Sequence, residues 1–166
     1  MILIPSNINK TLNLSACMPT SSAYRTICTQ CRAYCCTLVT PPVTEKEKQR
    51  IIKAGFPDRF EKIEKNLYAI KSEHTNKCPY LKNDYSCSIH TVKPHLCNLW
   101  PVVPYNKNNT RGCLLIKCPL FPFLSKKTID ATMKKAATIP LPLVEHLWKL
   151  PSKMKEKYKK FDYKKI

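Results

Sequence analysis

Cys28-Thr29-Gln30-Cys31-Arg32-Ala33-Tyr34-Cys35-Cys36 places four thiols in nine positions, and nine of the chain's ten cysteines fall between Cys28 and Cys118. Thiolate sulfur is the soft donor that selects zinc, iron–sulfur clusters or copper(I), and a Cys-x2-Cys turn lets two sulfurs approach one ion without straining the backbone. The density predicts a metal site. Cys28 and Cys31 form its strongest pair by spacing. Adjacent side chains point about 100° apart on a helix and to opposite faces on a strand. Cys35 and Cys36 therefore do not serve one ion together: either each serves a different metal, or one is a buried bystander.

Downstream the thiols recur in Lys77-Cys78-Pro79-Tyr80-Leu81, in Tyr85-Ser86-Cys87-Ser88-Ile89-His90 and in Lys93-Pro94-His95-Leu96-Cys97. Prolines at 79, 94, 101 and 104 forbid a long helix here, so these cysteines are expected on loops and short turns. Cys113 and Cys118 flank the apolar run Leu114-Leu115-Ile116, which predicts a strand with a thiol at each end and Gly112 in the turn before it. Cys17 is isolated and is the weakest ligand candidate. Among the histidines, His95 stands two residues before Cys97 and is a candidate ligand or second donor, with a surface role as the plainer reading. Trp100 is expected either to cover the site or simply to pack in the core.

At 166 residues with 43% hydrophobic content, the chain is long enough to bury a core without metal. No stretch reaches the ~18 apolar residues of a membrane span. The N-terminus lacks the basic and apolar regions of a secretory signal, which predicts a cytoplasmic protein whose thiols bind metal rather than pair as disulfides. The formal net charge is +18. Metal thiolate sites remove only part of it, since four thiolates on a divalent ion carry about −2. Possible partners of so basic a surface are nucleic acid, an anionic membrane face or an acidic protein, with a lysine-rich solvated surface as the plainer reading. The metal site adds a redox or metal-handling protein as a possible partner. Gly55 and Gly112 are the only glycines, too few for a phosphate loop, a dinucleotide fingerprint or the glycine motif of a Rossmann-type methyltransferase. No nucleophile, base and orienter constellation is visible.

Residues 1–27 are expected as a polar N-terminal arm, 28–124 as the cysteine-cluster domain, and 125–166 as a basic helical extension of net charge +8. Leu38-Val39-Thr40 predicts a short strand stopped by Pro41-Pro42. Thr44-Glu45-Lys46-Glu47 is a capping box that opens a helix over about 45–54, ended by Gly55. Pro57-Asp58 predicts a second helix to about Lys65, with Phe60 and Ile63 on one face. Leu67-Tyr68-Ala69-Ile70 predicts a strand. Ser125 caps a helix to about Ala137, Pro140 and Pro142 break it, and Val144 to Leu150 resumes. The tail from Ser152 to Lys160 is expected as a basic helix with Met154, Tyr158 and Phe161 on one face. The fold class expected is α+β: a small, irregular cysteine-rich domain of short strands and helices with a basic helical tail.

The order Cys28-x2-Cys31-x3-Cys35-Cys36, the capped helix at Thr44, Cys78-Pro79-Tyr80-Leu81, Cys87-Ser88-Ile89-His90, Lys93-Pro94-His95-Leu96-Cys97 and Trp100-Pro101 resembles the YkgJ-type cysteine-cluster family, over roughly residues 28–118. That resemblance implies a zinc- or iron-chelating domain. Members usually space the first motif Cys-x2-Cys-x2-Cys-Cys, one residue shorter than here, and carry Tyr-x-x-Arg-Pro where this chain has His90-Thr91-Val92-Lys93-Pro94. The second departure marks His90 as a substituted packing residue. Flagellin lysine methylase is similar in carrying such a cysteine region, without implying its activity here. The expected ligands are Cys28, Cys31, Cys35, Cys36, Cys78, Cys87, Cys97 and Cys118. They would hold a zinc ion or an iron–sulfur cluster in a structural, metal-handling or electron-transfer role. The competing expectation is a nucleic-acid-binding module built on a structural zinc core and the Lys-rich tail.

Overall fold

Thr44 ends a strand and starts a helix in the same residue. In the computed structural model, which describes residues 21–37, 40–71, 77–149 and 163–165, the Thr44 side chain accepts the Glu47 backbone N–H, and the Glu47 carboxylate reaches back to the Thr44 N–H at 2.9 Å. This capping box opens helix α2 (Glu45–Lys53), which closes on Ala54 and on Gly55 at φ +87°. The box and the glycine act as the sequence predicts.

Before it, α1 (Ser21–Gln30) occupies part of the stretch expected as an irregular arm. Strand β1 (Pro42–Thr44) begins at the proline expected to stop a strand, while Leu38 and Val39 lie outside the described residues. A proline is tolerated there because, among the described residues, β1 lies at the edge of its three-stranded sheet, pairing on one side with Leu67–Ala69.

The helix expected from Pro57 is instead β2 (Phe60–Glu64), joined to β3 (Leu67–Ile70) through Asn66 at φ +61°. Asp58 does not cap a helix; its carboxylate accepts the Phe60 N–H at 3.0 Å in an Asx turn. Phe60 and Ile63 are both half-buried but serve different clusters: Phe60, opposite Ile70, packs with Val43, Ile51 and Ile70, whereas Ile63 packs on the cluster of Leu67. A strand with an apolar residue on each face thus shows the three-residue spacing of a helical face without a helix.

A short helix α3 (His95–Leu99) leads into the hairpin β4 (Val102–Lys107) and β5 (Thr110–Ile116). Its turn is Asn108-Asn109, both at positive φ, and not Gly112. Gly112 lies inside β5 opposite Tyr105, whose ring fills the space a Cβ would need. Ser125 caps α4 (Lys126–Ala137) as expected. Helix α5 (Leu141–Trp148) starts earlier than expected, with Pro142 in its first turn, where the missing N–H costs nothing. The tail segment 152–160 lies outside the described residues; beyond it Tyr163–Lys165 form β6, paired antiparallel with Leu114–Ile116.

The α+β class stands, built on two three-stranded antiparallel sheets. One apolar cluster packs Val43, Ile51, Ile70, Tyr80 and Ile89 on the first sheet, and Cys78 and Cys87 lean against it. A second joins Leu67, Leu99, Val102 and Leu115 to Ala136 of α4, Ile139 in the connection after it, and Leu143 and Val144 of α5. A third, around Val103, Ile116 and Leu147, touches Trp100 and Cys118. Among the described residues no helix is long and apolar enough to cross a membrane.

Candidate metal centre

Cys28 lies in the last turn of α1 and Cys31 just past its end, where the chain reverses through two consecutive left-handed residues, Arg32 (φ +57°) and Ala33 (φ +45°). The Ala33 N–H reaches back to the Cys28 carbonyl at 2.8 Å. Each non-glycine residue in this region costs about 1 kcal/mol. The reversal delivers Tyr34–Thr37, a 3-10 turn carrying Cys35 and Cys36 with their sulfurs 4.0 Å apart. These two left-handed residues occupy the three-residue spacer that sets this chain apart from the usual motif.

The Cys78 N–H donates to the Cys36 carbonyl at 2.9 Å, which ties the first cysteine group to the second. Cys78 and Cys87 sit at the neck of a loop closed by the Leu81–Cys87 bridge and by Asp84, whose carboxylate accepts the Ser86 N–H and hydroxyl. Helix α3 carries Cys97. Cys118 follows β5, its carbonyl accepting the Phe121 N–H at 2.8 Å.

Two cavities share Cys28, Cys35, Trp100 and Leu120 in their walls. The larger, about 430 Å³, is lined by Cys28, Cys35, Cys36, Cys78, Cys87 and Cys97 among apolar side chains. The smaller, about 40 Å³, lies under Trp100 and Leu120 and is lined by Cys28, Cys31, Cys35 and Cys118. All nine described cysteines are free thiols. As the side chains stand, no three Cys, His, Asp or Glu among the described residues converge as a metal site requires.

Burial pushes the Cys28 thiol up to about 11, helped by the neighbouring Cys31, Cys118 and Cys36. Cys78 is pushed up to about 12 by burial, with Cys36 and Cys87 adding to it against a Tyr80 backbone N–H. Cys97 is raised far by burial and then by Cys36, Cys78 and Cys87. Burial likewise raises Cys87 and Cys118. Within the adjacent pair, the hydrogen bond from the Cys35 thiol raises Cys35 and lowers Cys36. Desolvated thiols that would repel one another as anions are the donor set that a cation stabilises, so the residues present fit zinc or iron.

Of the expected ligands, all eight line one cavity or the other. Cys113 does not join them: it is buried in the apolar core inside β5, opposite Pro104. The His95 ring turns away, its Nε2 3.5 Å from Arg50 Nη1. His90, read from the sequence as a packing residue, sits in the wall of the larger cavity.

Three contributors escaped the sequence reading. The half-buried Lys93 and the exposed Arg25 line the larger cavity, and Lys93 fell in a visible signal, the basic residue before Pro94. Glu47 is the third: beyond the capping box, its Oε1 accepts the His95 N–H at 2.7 Å, bracing the first turn of the helix that carries Cys97. No short motif announces a contact across 48 residues.

A cysteine-walled cavity on a small α+β scaffold defines the class as a chelating domain. The CxxCxxCC family model, described as a putative zinc- or iron-chelating domain, matches residues 27–130, and the chain belongs to that family. No curated protein and no solved structure matches the chain.

Proposed function

We propose that the chain holds two thiolate-bound metal centres, one on Cys28, Cys31, Cys35 and Cys118 and the other on Cys36, Cys78, Cys87 and Cys97. The observation that carries this reading is the division of the adjacent pair: Cys35 faces both cavities, whereas Cys36 lines only the larger and is tied through its carbonyl to Cys78. Adjacent cysteines that cannot share one ion fit two centres side by side. Zinc would close each site structurally, and iron–sulfur clusters would add electron transfer. The chain's own contribution is to hold the thiols in an apolar surround and to shield them with Trp100 and Leu120, which limits metal exchange. A metal-handling or electron-transfer role in a reducing, cytoplasmic setting is the function this supports.

The test is elemental analysis of zinc and iron after anaerobic purification of the wild type and of Cys35→Ser and Cys36→Ser. Each variant should lose the metal of one centre and keep that of the other. Full metal content in both would sink the two-centre reading. The net charge of +18 favours a second reading, a nucleic-acid-binding module on a structural zinc core. It requires binding that weakens steeply with salt and is lost on removal of residues 152–166.

A further inference from the structure

Among the described residues no carboxylate lines the larger cavity. Apart from its thiols and His90, its charged lining consists of Arg25 and Lys93, both cationic. Lys93 is half-buried, and no carboxylate among the described residues lies within ion-pair distance of it. Its backbone is fixed on two sides: the Lys93 carbonyl accepts Arg50 Nη2 at 3.0 Å and Asn98 Nδ2 at 3.4 Å, and Pro94 beside it is fully buried. The chain therefore presents an ammonium to a thiol-lined, largely apolar chamber without giving it an acidic partner.

An anionic occupant of the chamber would give these two cations the partner that its protein wall does not. A divalent ion with four thiolates, or a four-iron cluster on four cysteines, carries a net charge of about −2, and two cations offset it. We infer that Lys93 and Arg25 are built-in countercharges for the centre on Cys36, Cys78, Cys87 and Cys97, positioning residues that make an anionic metal–thiolate core affordable inside an apolar wall. The inference rests on the metal-centre reading above and goes beyond it by assigning what holds the charge of the core.

The experiment is anaerobic titration of zinc into metal-free, reduced protein in competition with a chromophoric chelator. The proteins are the wild type, Lys93→Arg, Lys93→Gln, Lys93→Glu, Arg25→Gln and a control, Lys107→Gln, at the β4–β5 hairpin outside the cavity. Lys93→Arg should bind within about 3-fold of wild type, Lys93→Gln about 10-fold or more weakly, and Lys93→Glu more weakly still. Arg25→Gln, on a different element, should weaken binding in the same sense, and Lys107→Gln should not. Grading by charge is the signature that a packing role would not give. Arginine as damaging as glutamine, or glutamine no different from the Lys107 control, overturns the countercharge role. A wild type that takes up no zinc overturns the metal-centre reading itself, a distinguishable failure. Thermal melts of the metal-free variants identify any that fail to fold, and Arg25→Gln then decides.

Discussion

Replacing Glu47 with glutamine should destabilise the protein more than removing the threonine it caps. Glu47 is 6% exposed, and its carboxylate accepts three hydrogen bonds: the Thr44 N–H at 2.9 Å, the Thr44 hydroxyl at 2.8 Å and the His95 N–H at 2.7 Å. Glutamine keeps one oxygen and turns a donor amide toward the other position, so either orientation leaves one backbone N–H facing a donor. The loss combines a charge-assisted hydrogen bond of about 1.5–3 kcal/mol with an unsatisfied buried donor of similar size, so the lower end of the sum is roughly 3 kcal/mol. Thr44→Ala removes only the side-chain cap, about 1 kcal/mol, and leaves both backbone N–H groups on the carboxylate. At about 2–4 °C per kcal/mol for a chain of this size, Glu47→Gln should melt roughly 6–12 °C below wild type and Thr44→Ala roughly 2–4 °C below, by circular dichroism. A Glu47→Gln protein that melts no lower than Thr44→Ala would refute the bridging role given to its carboxylate.

Arg32→Gly should stabilise the fold by about 1 kcal/mol, since Arg32 is exposed at φ +57° and glycine adopts that backbone freely; an unchanged or lower urea midpoint counts against the strain. Gly112→Ala should cost about 1–3 kcal/mol because its Cβ would meet the Tyr105 ring, and Tyr105→Ala in the same chain should recover part of that loss. Cys113→Ala should leave zinc and iron content unchanged, because this thiol belongs to the apolar core; loss of metal would return it to the ligand set. The metal-free protein should weaken in alkali: Cys28 and Cys78, held near 11 and 12, stay protonated in the fold while the unfolded chain ionises from about 9. The folded state then binds more protons, so stability falls as pH climbs through that window. Urea midpoints at pH 8 and pH 10 should show the drop, and it should shrink in a Cys28→Ser, Cys78→Ser double variant.

The chemistry was legible in the one-dimensional order because thiol density and Cys-x2-Cys spacing are local properties, as are the Thr44–Glu47 and Ser125 caps, whose partners lie within one turn. The family membership rests on the same order. The helix expected at Pro57–Lys65 failed because an Asx turn at Asp58 leads into a strand paired with β3, in which Phe60 and Ile63 pack against different apolar clusters and only imitate a helical face. Cys113 and Cys118 flank one apolar run in the sequence, and Cys118 alone of the two stands among the expected ligands. Pairing of β4 with β5 buries the first in the core and carries the second past the strand end to the Trp100 cavity. Sequence alone determined that this chain is a thiol-rich chelating domain, since ligand type is a property of each residue. Tertiary structure decided which thiols face which cavity, that Lys93 and Arg25 face them too, and that Glu47 braces the helix of Cys97, because those relations are made between residues distant in the chain and exist only once it is packed.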